Sequence, residues 1–382
     1  MDNLTHSLVG LAAAKTGLER LSPRTTVLCI VAANAPDADI VTLIFGDRWS
    51  FLKYHRGITH SILGAICLAF VIPLAFYLVE LAMARLRSRP PKIRLAGLLL
   101  ASIIVSASHP LMDWTNNYGI RLLLPWSSRW FYGDLVFIVD PFLWLLFGGA
   151  AFLLTSKAKL QLVVWSVLGL ILTCLMIVGS VLSSTLSTHL SLLVIWIAAL
   201  ICILILFAMK AQKRWGSSIG VAAFVIMLVY WGGLSYVHNQ VLKKANATAV
   251  VMARSNSETI SQLVAMPTLA DPFTWECVFE TERATYRFNS SLTSSALAPD
   301  VVRYEKPSAG MSALVEEAST DERTKAFLGF ARFPVVRLSD VDCTTQTLVQ
   351  FADLRYTEPG KSRGIFSLEV PVDCPGQRIG SR

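Results

Sequence analysis

Four of the six histidines in this chain stand among aspartates in its first third. They occur in "THSLVG" with His6, "KYHRGITHS" with His55, Arg56 and His60, and "SHPLMDW" with His109 and Asp113. "NAPDADI" adds Asp37 and Asp39, and "GDLVFIVDP" adds Asp134 and Asp140. Imidazole nitrogen and carboxylate oxygen together bind zinc, manganese or iron, and more than four such ligands allow two or more ions. His109 and Asp113, four residues apart on a helix, can face one ion. Asp37 and Asp39, in a turn, can bridge or cap a second. A bound ion brings water toward neutral pKa, making a hydroxide nucleophile, and a pair of ions can clamp the attacking and leaving oxygens of a phosphate ester. Arg56 stands between two candidate ligands, and its planar fork suits two phosphate oxygens.

These residues need elements that hold them at one place. Of the 382 residues 54% are hydrophobic and 16% charged, against roughly 25% charged in a soluble domain. Mean hydropathy is +0.54. Composition alone therefore indicates a membrane protein. A spanning helix needs about 20 predominantly apolar residues. Six runs qualify, at 58–83, 94–113, 135–155, 160–182, 189–209 and 217–237. Two weaker ones, 4–19 and 25–45, can form a hairpin sheltered by the rest. The N-terminus lacks the basic region of a cleavable signal peptide, so it is expected to be retained.

The net charge of +8 lies in short loops between apolar runs, a topology signal rather than a nucleic-acid patch. The basic loops are Arg85–Arg94, Lys210–Arg214 and the pair Lys157 and Lys159. With all three in the cytoplasm, alternation of the six strong helices meets no conflict. That orientation places every candidate ligand on the outer side, although lysines and arginines alone set it. Lys53 and Arg56 then lie outside against the positive-inside expectation, which favours a chemical reason for their presence.

From about residue 240 the sequence turns polar. "FTWECVFETERATYRFNSS" and "RGIFSLEVPVDC" alternate with the period of half-buried strands. The expected architecture is an all-α polytopic bundle of about six to eight membrane helices over residues 1–240, with the metal motifs within 1–145. An extracytoplasmic, mostly antiparallel α+β domain is expected over 241–382. Cys29, Cys67, Cys174 and Cys202 lie in apolar runs as inert small hydrophobes. Cys277, Cys343 and Cys374 lie in the polar tail, where one disulfide can form in an oxidising compartment.

Simpler readings exist for single residues. "PDAD" is also an ordinary helix-ending turn, and Asp134 is a plausible helix cap. Asp140 is harder to dismiss, lying two turns into an apolar run before Pro141. Asn116, Asn117 and Tyr118 follow the His109 helix and either line the pocket or cap it. His189 and His238 lack acidic neighbours and read as interfacial groups.

Taken together, "THSLVG", "PDAD", "HRGITHS", "SHPLMDWTNNYG" and "GDLVFIVDP" resemble the membrane-bound metal-dependent hydrolases of the YdjM-like family. "RFPVVRL" and "FADLRY" are similar to the distal part of its longer members. The resemblance implies metal ligation by His6, Asp37, Asp39, His55, His60, His109 and Asp113, with Asp134 and Asp140 as further candidates. It also implies a distant relation to zinc-dependent phospholipase C, hence a multi-zinc phosphoesterase. The N-terminal Trp that ligates a third zinc in those soluble enzymes is absent here.

The expected function is an integral hydrolase of the bacterial inner membrane that cleaves a phosphoester or ester with a metal-bound hydroxide at the outer interface. Arg56, Asp39 and Asp140 are the expected catalytic residues, and two or more zinc ions, or manganese or iron, the cofactor. A membrane lipid or lipid-linked molecule is the expected substrate, because a pocket at headgroup depth meets lipid at high local concentration. No nucleic-acid partner is expected. Two rivals are a non-catalytic metal-binding or transport protein, and a membrane-anchored module acting through its C-terminal domain. A transport path would place ionisable groups at several depths, and the cytoplasmic halves of the central helices carry almost none. The tail shows no nucleophile–base pair, metal-ligand spacing or glycine-rich loop.

Overall fold

A computed structural model describes residues 1–182, 186–293, 300–339, 345–361, 364 and 366–374, with side-chain surroundings outside 179–191 and 309. Cys343 and the side chain of His189 lie outside the described residues. The chain divides into two compact units. The first comprises Met1–Ala38, Ile58–Tyr236 and Pro267–Pro272, and the second Asp39–Gly57, Val237–Met266 and Phe273–Arg382.

The helices, in chain order, begin with α1 (Asn3–Lys15), α2 (Thr25–Asn34), α3 (Val41–Phe45) and α4 (Arg48–Tyr54). Next come α5 (Ile62–Leu86), α6 (Leu95–Trp114), α7 (Pro141–Thr155) and α8 (Lys159–Leu182). They continue with α9 (Leu186–Ala208), α10 (Ala211–Trp215) and α11 (Ser218–Ser255). Among the described residues five stretches are long and apolar enough to cross a membrane: Thr25–Phe45, Ile62–Leu86, Leu95–Trp114, Lys159–Val178 and Ser218–Ser255. Pro141–Thr155 and Leu192–Ala208 are shorter apolar helices. This is the expected helical membrane bundle.

In the first unit α1 packs on α2 and α7, and α6 packs on α2 and α5. One core gathers Leu8, Val9, Phe147 and Met227, and another Leu28, Cys29, Leu98 and Val105. The outward faces carry Leu78, Val167, Leu228 and Val229, each at least half exposed. Such a surface would be a liability in water, and in lipid it is the ordinary solvent-facing side. Inside the bundle Glu80 of α5 is buried and takes two hydrogen bonds from Arg89, at 2.7 and 3.3 Å, and one from the Lys92 amide. Pairing of this kind lets a carboxylate sit in an apolar helix.

The boundaries differ from the sequence reading where backbone chemistry intervenes. The 25–45 run is not one continuous α-helix: a 3-10 segment, Ala35–Ile40, interrupts it around Pro36. The helix expected from 135 starts at Pro141, whose fixed φ and missing N–H suit a first helical position. The helix expected to end near 237 continues to Ser255, so residue 240 falls inside α11.

The second unit holds two antiparallel sheets. Strands β1 (Ile260–Thr268), β2 (Asp271–Thr281), β3 (Ala284–Ser291) and β4 (Val302–Glu305) form one, in that order. After α12 (Ala309–Ala318) and α13 (Glu322–Phe330), strands β5 (Pro334–Leu338), β6 (Gln346–Asp353) and β7 (Ser367–Asp373) form the other. The last turns of α11 supply Val241, Ala245 and Ala249 to a core with Trp275, Phe279 and Tyr286. Helix α4 packs on α13. Cys277 is a free, buried thiol pushed up to about 12 by that burial, whereas Cys374 is disulfide-bonded.

Glu258 ties this unit together. Its carboxylate accepts from Thr281 Oγ1 at 2.8 Å, Tyr286 Oη at 2.8 Å and Arg303 at 2.6 Å. Burial pushes the carboxyl up, but these donors outweigh it and hold the group below the ordinary glutamate range. A depressed folded pKa gives stability that is full above the unfolded value, about 4.3, and is lost as pH falls through the folded one. Replacing Glu258 with Gln removes charge-assisted hydrogen bonds worth about 1.5–3 kcal/mol each. Urea unfolding of the second unit, followed by tryptophan fluorescence, is therefore expected to show E258Q weaker than wild type at neutral pH. The difference should shrink below about pH 4.3. A constant difference across that range would exclude Glu258 as the source.

Candidate metal centre

Four helix ends of the first unit meet at Asp113. The residue sits in the last turn of α6, with His109 one turn earlier, and neither has measurable solvent exposure. His109 Nε2 is 3.2 Å from Asp113 Oδ2, as their four-residue spacing leads one to expect. His60 lies in a 3-10 turn, Ile58–His60, just before α5. Its Nε2 is 3.1 Å from Asp37 Oδ1 and 3.4 Å from Asp113 Oδ2. Asp37 comes from the 3-10 segment that follows α2, and its Oδ1 is 3.7 Å from His109 Nε2. One ligand atom from each of Asp37, His60, His109 and Asp113 lies within 4.8 Å of all the others, and all four residues are buried. His6, in the second turn of α1, completes the group: its Nε2 is 3.4 Å from Asp113 Oδ1 and its ring stacks on His109 at 3.8 Å.

Local structure sets each of these side chains. Nδ1–H of His109 donates to the Ala33 carbonyl at 2.6 Å, which leaves Nε2 as the lone pair facing Asp37 and Asp113. The His60 turn is pinned by Ser61, whose hydroxyl donates to Ile58 O and accepts from Gly64 N, at 2.7 and 3.0 Å. Position 64 admits no side chain, because a Cβ there would overlap the Ile58 carbonyl. Asp2 caps α1, taking Thr5 N at 3.0 Å and Thr5 Oγ1 at 2.6 Å, and Trp144 Nε1 of α7 donates to it at 3.1 Å. Gly10 brings α1 against α2 so closely that a Cβ would lie 2.6 Å from Cys29 O. The Met1 ammonium donates to Asp113 Oδ1. That contact, and the Ala33 carbonyl, carry no side-chain signature and could not be read from residue types. Asp2 could have been found from the Asp-x-x-Thr start of an apolar run.

The donor set fits a divalent cation. Nε2 of His6, Nε2 of His109 and Oδ2 of Asp37 are buried with no hydrogen-bond partner. A buried polar atom left so costs about 1–3 kcal/mol, and a cation held by Asp37, His60, His109 and Asp113 would offset such a cost within that quartet. Mixed imidazole and carboxylate donors suit zinc, manganese or iron.

The second unit holds Asp39, His55 and Arg56. Asp39 Oδ1 is 2.9 Å from His55 Nδ1, and its Oδ2 accepts from the Arg56 amide at 2.9 Å. Arg56 is buried, in the left-handed backbone region at φ 52°. The His55 ring stacks on Phe51 of α4 at 4.4 Å.

Asp134 and Asp140 stand apart from the four-residue group. Asp134 is buried at φ 51°, held beside the end of α6 by the Leu135 and Val136 amides, which donate to Thr115 O at 2.8 and 3.1 Å. Asp140 is the N-cap of α7 rather than an intrahelical residue. It accepts from the Phe142 and Leu143 amides and from Tyr230 Oη at 2.9 Å. Asn116, Asn117 and Tyr118 are all buried, and Asn116 Oδ1 accepts from the Tyr118 amide. His238 donates from Nε2 to Ala265 O within the second unit.

A bundle of apolar helices whose ends enclose a buried imidazole–carboxylate cluster defines an integral membrane protein with a candidate metal site. The chain belongs to the YdjM inner membrane protein family, which matches residues 1–185. It is 33% identical over 143 residues to the inner membrane protein YbcI of Escherichia coli (strain K12), covering 36% of this chain and 76% of YbcI. It is 26% identical over 155 residues to the uncharacterized protein YfhP of Bacillus subtilis (strain 168), covering 38% of this chain and 43% of YfhP. The chain therefore spans less than half the length of that Bacillus relative. No solved structure matches.

Metal content separates the two kinds of aspartate and histidine. H109A and H60A are expected to lower bound zinc at least about tenfold, since even outer partners of a ligand are worth about 10–100-fold. Membrane insertion should be unaffected. D140A should keep its zinc and lose about 1 kcal/mol of stability through the missing cap. Elemental analysis of dialysed protein, with thermal melts, checks both; full metal in H109A would remove α6 from the site.

Proposed function

We propose that this protein is a metal-dependent hydrolase of the inner membrane. Its substrate would be a phosphoester or ester of a lipid or lipid-linked molecule. The observation carrying the proposal is the buried quartet Asp37, His60, His109 and Asp113 with ligand atoms within 4.8 Å of one another. Burying two carboxylates and three imidazoles among apolar helices is expensive, so a functional group is the default reading. A divalent cation held there would supply Lewis acidity and an activated water.

The protein's own contribution is orientation. Ala33 O fixes the tautomer of His109, Asp37 aligns His60, and Asp113 faces His6, His60 and His109 together. Burial of the cluster strengthens each charge interaction inside it. Asp39, His55 and Arg56 are proposed as a second functional group, in which Arg56 meets substrate negative charge.

An extracytoplasmic position is supported by two observations. The basic stretch Arg85–Arg94 joins the ends of α5 and α6 opposite to those beside His60 and Asp113. The disulfide at Cys374 favours an oxidising compartment for the second unit.

The test is hydrolysis by purified, zinc-loaded protein of bis(p-nitrophenyl) phosphate and of phospholipid vesicles, compared with D113N. Activity should fall about a hundredfold or more in D113N, while size-exclusion profile and helical content are retained. Zinc-loaded wild type that turns over neither substrate class, nor carboxylic esters of lipids, would overturn the hydrolase reading.

A further inference from the structure

A second feature of the first unit lies away from the cluster. Helices α7, α9 and α11 border an apolar groove of about 640 Å³. Phe142 and Leu153 line it near the two ends of α7. At 1.5 Å per residue the wall between them is about 16 Å long, the depth of one leaflet of a roughly 30 Å hydrocarbon core. Ala199 and Ala222 leave its sides wide, and Leu206 lines it two residues before α9 ends. Trp215 and Ser218 close the same end, where α11 begins.

That end is also where positive charge gathers. Helix α10 packs on α9 and α7 and carries Lys213 and Arg214 in its last turn, with Lys210 as its N-cap. All three are exposed. Arg214 lies 6.0 Å over the ring of Trp215, which is 47% exposed and lines the groove. Tryptophan at a helix end marks headgroup depth. Within the same turn Gln212 has a buried side-chain oxygen with no hydrogen-bond partner, an acceptor for a hydroxyl donor.

We propose that the α7–α9–α11 groove binds one acyl chain of an anionic phospholipid whose phosphate rests among Lys210, Lys213 and Arg214. An uncharged lipid would fill the groove but leave the cations unmatched. Each basic residue at a membrane surface favours an anionic lipid by roughly fivefold. Three together predict a preference of at least about tenfold even after screening.

Full-length protein titrated with phosphatidylglycerol and with phosphatidylcholine of equal chain length, read by native mass spectrometry, tests this. Wild type should retain phosphatidylglycerol at least about tenfold better. K210Q/K213Q/R214Q should bring the ratio near one, and A199L/A222L should reduce retention of both lipids. R85Q/R87Q/K92Q, an equal charge change in another loop, should keep the preference. Equal retention by wild type, a preference surviving in the first variant, or its loss in the loop control would each overturn the proposal. Thermal stabilisation of wild type needs no variant: it should be larger with phosphatidylglycerol, and equal shifts would refute the site.

Discussion

Asp113 is the point on which the first unit depends. A carboxyl group with no solvent exposure, inside a bundle of apolar helices, is tolerable only among polar partners. Those groups arrive from every neighbouring element. His6 comes from α1, His60 from the turn before α5, and His109 from α6 itself. Helix packing therefore brings donors together, and the 3-10 segments at 35–40 and 58–60 carry Asp37 and His60.

Much of this was legible in residue types. The apolar runs locate the helices because bilayer thickness leaves little choice of length. The four-residue spacing of His109 and Asp113 announces a shared face. Other features were not legible. Asp140 reads as an intrahelical carboxylate only if the helix starts near 135, and Pro141 moves that start so that the aspartate becomes a cap. The 18 residues that α11 gains beyond 237 look polar from outside. Their apolar positions, Val241, Ala245 and Ala249, face a strand core that no local pattern reveals.

Charged groups elsewhere in the bundle follow the same rule as Asp113 with simpler means. Glu80 is answered by Arg89, a backbone amide and, at 3.9 Å, Arg24. The second unit repeats the pattern: Glu258 collects a hydroxyl, a phenol and a guanidinium. In each case the carboxylate's oxygens meet hydrogen-bond donors. At the cluster two imidazole nitrogens and one carboxylate oxygen do not, and this difference sets it apart from a structural ion pair.

Gly64 has a bearing on how such sites can change over generations. Because any side chain there would collide with the Ile58 carbonyl, the turn carrying His60 can exist only while position 64 remains bare. A lineage that lost the glycine first would lose the geometry of His60 without touching a ligand. A search for working relatives should therefore weigh the pair His60 and Gly64, four residues apart, above the histidine alone. A chain that keeps the imidazole but carries a bulkier residue in place of the glycine has the chemistry in name but not in shape.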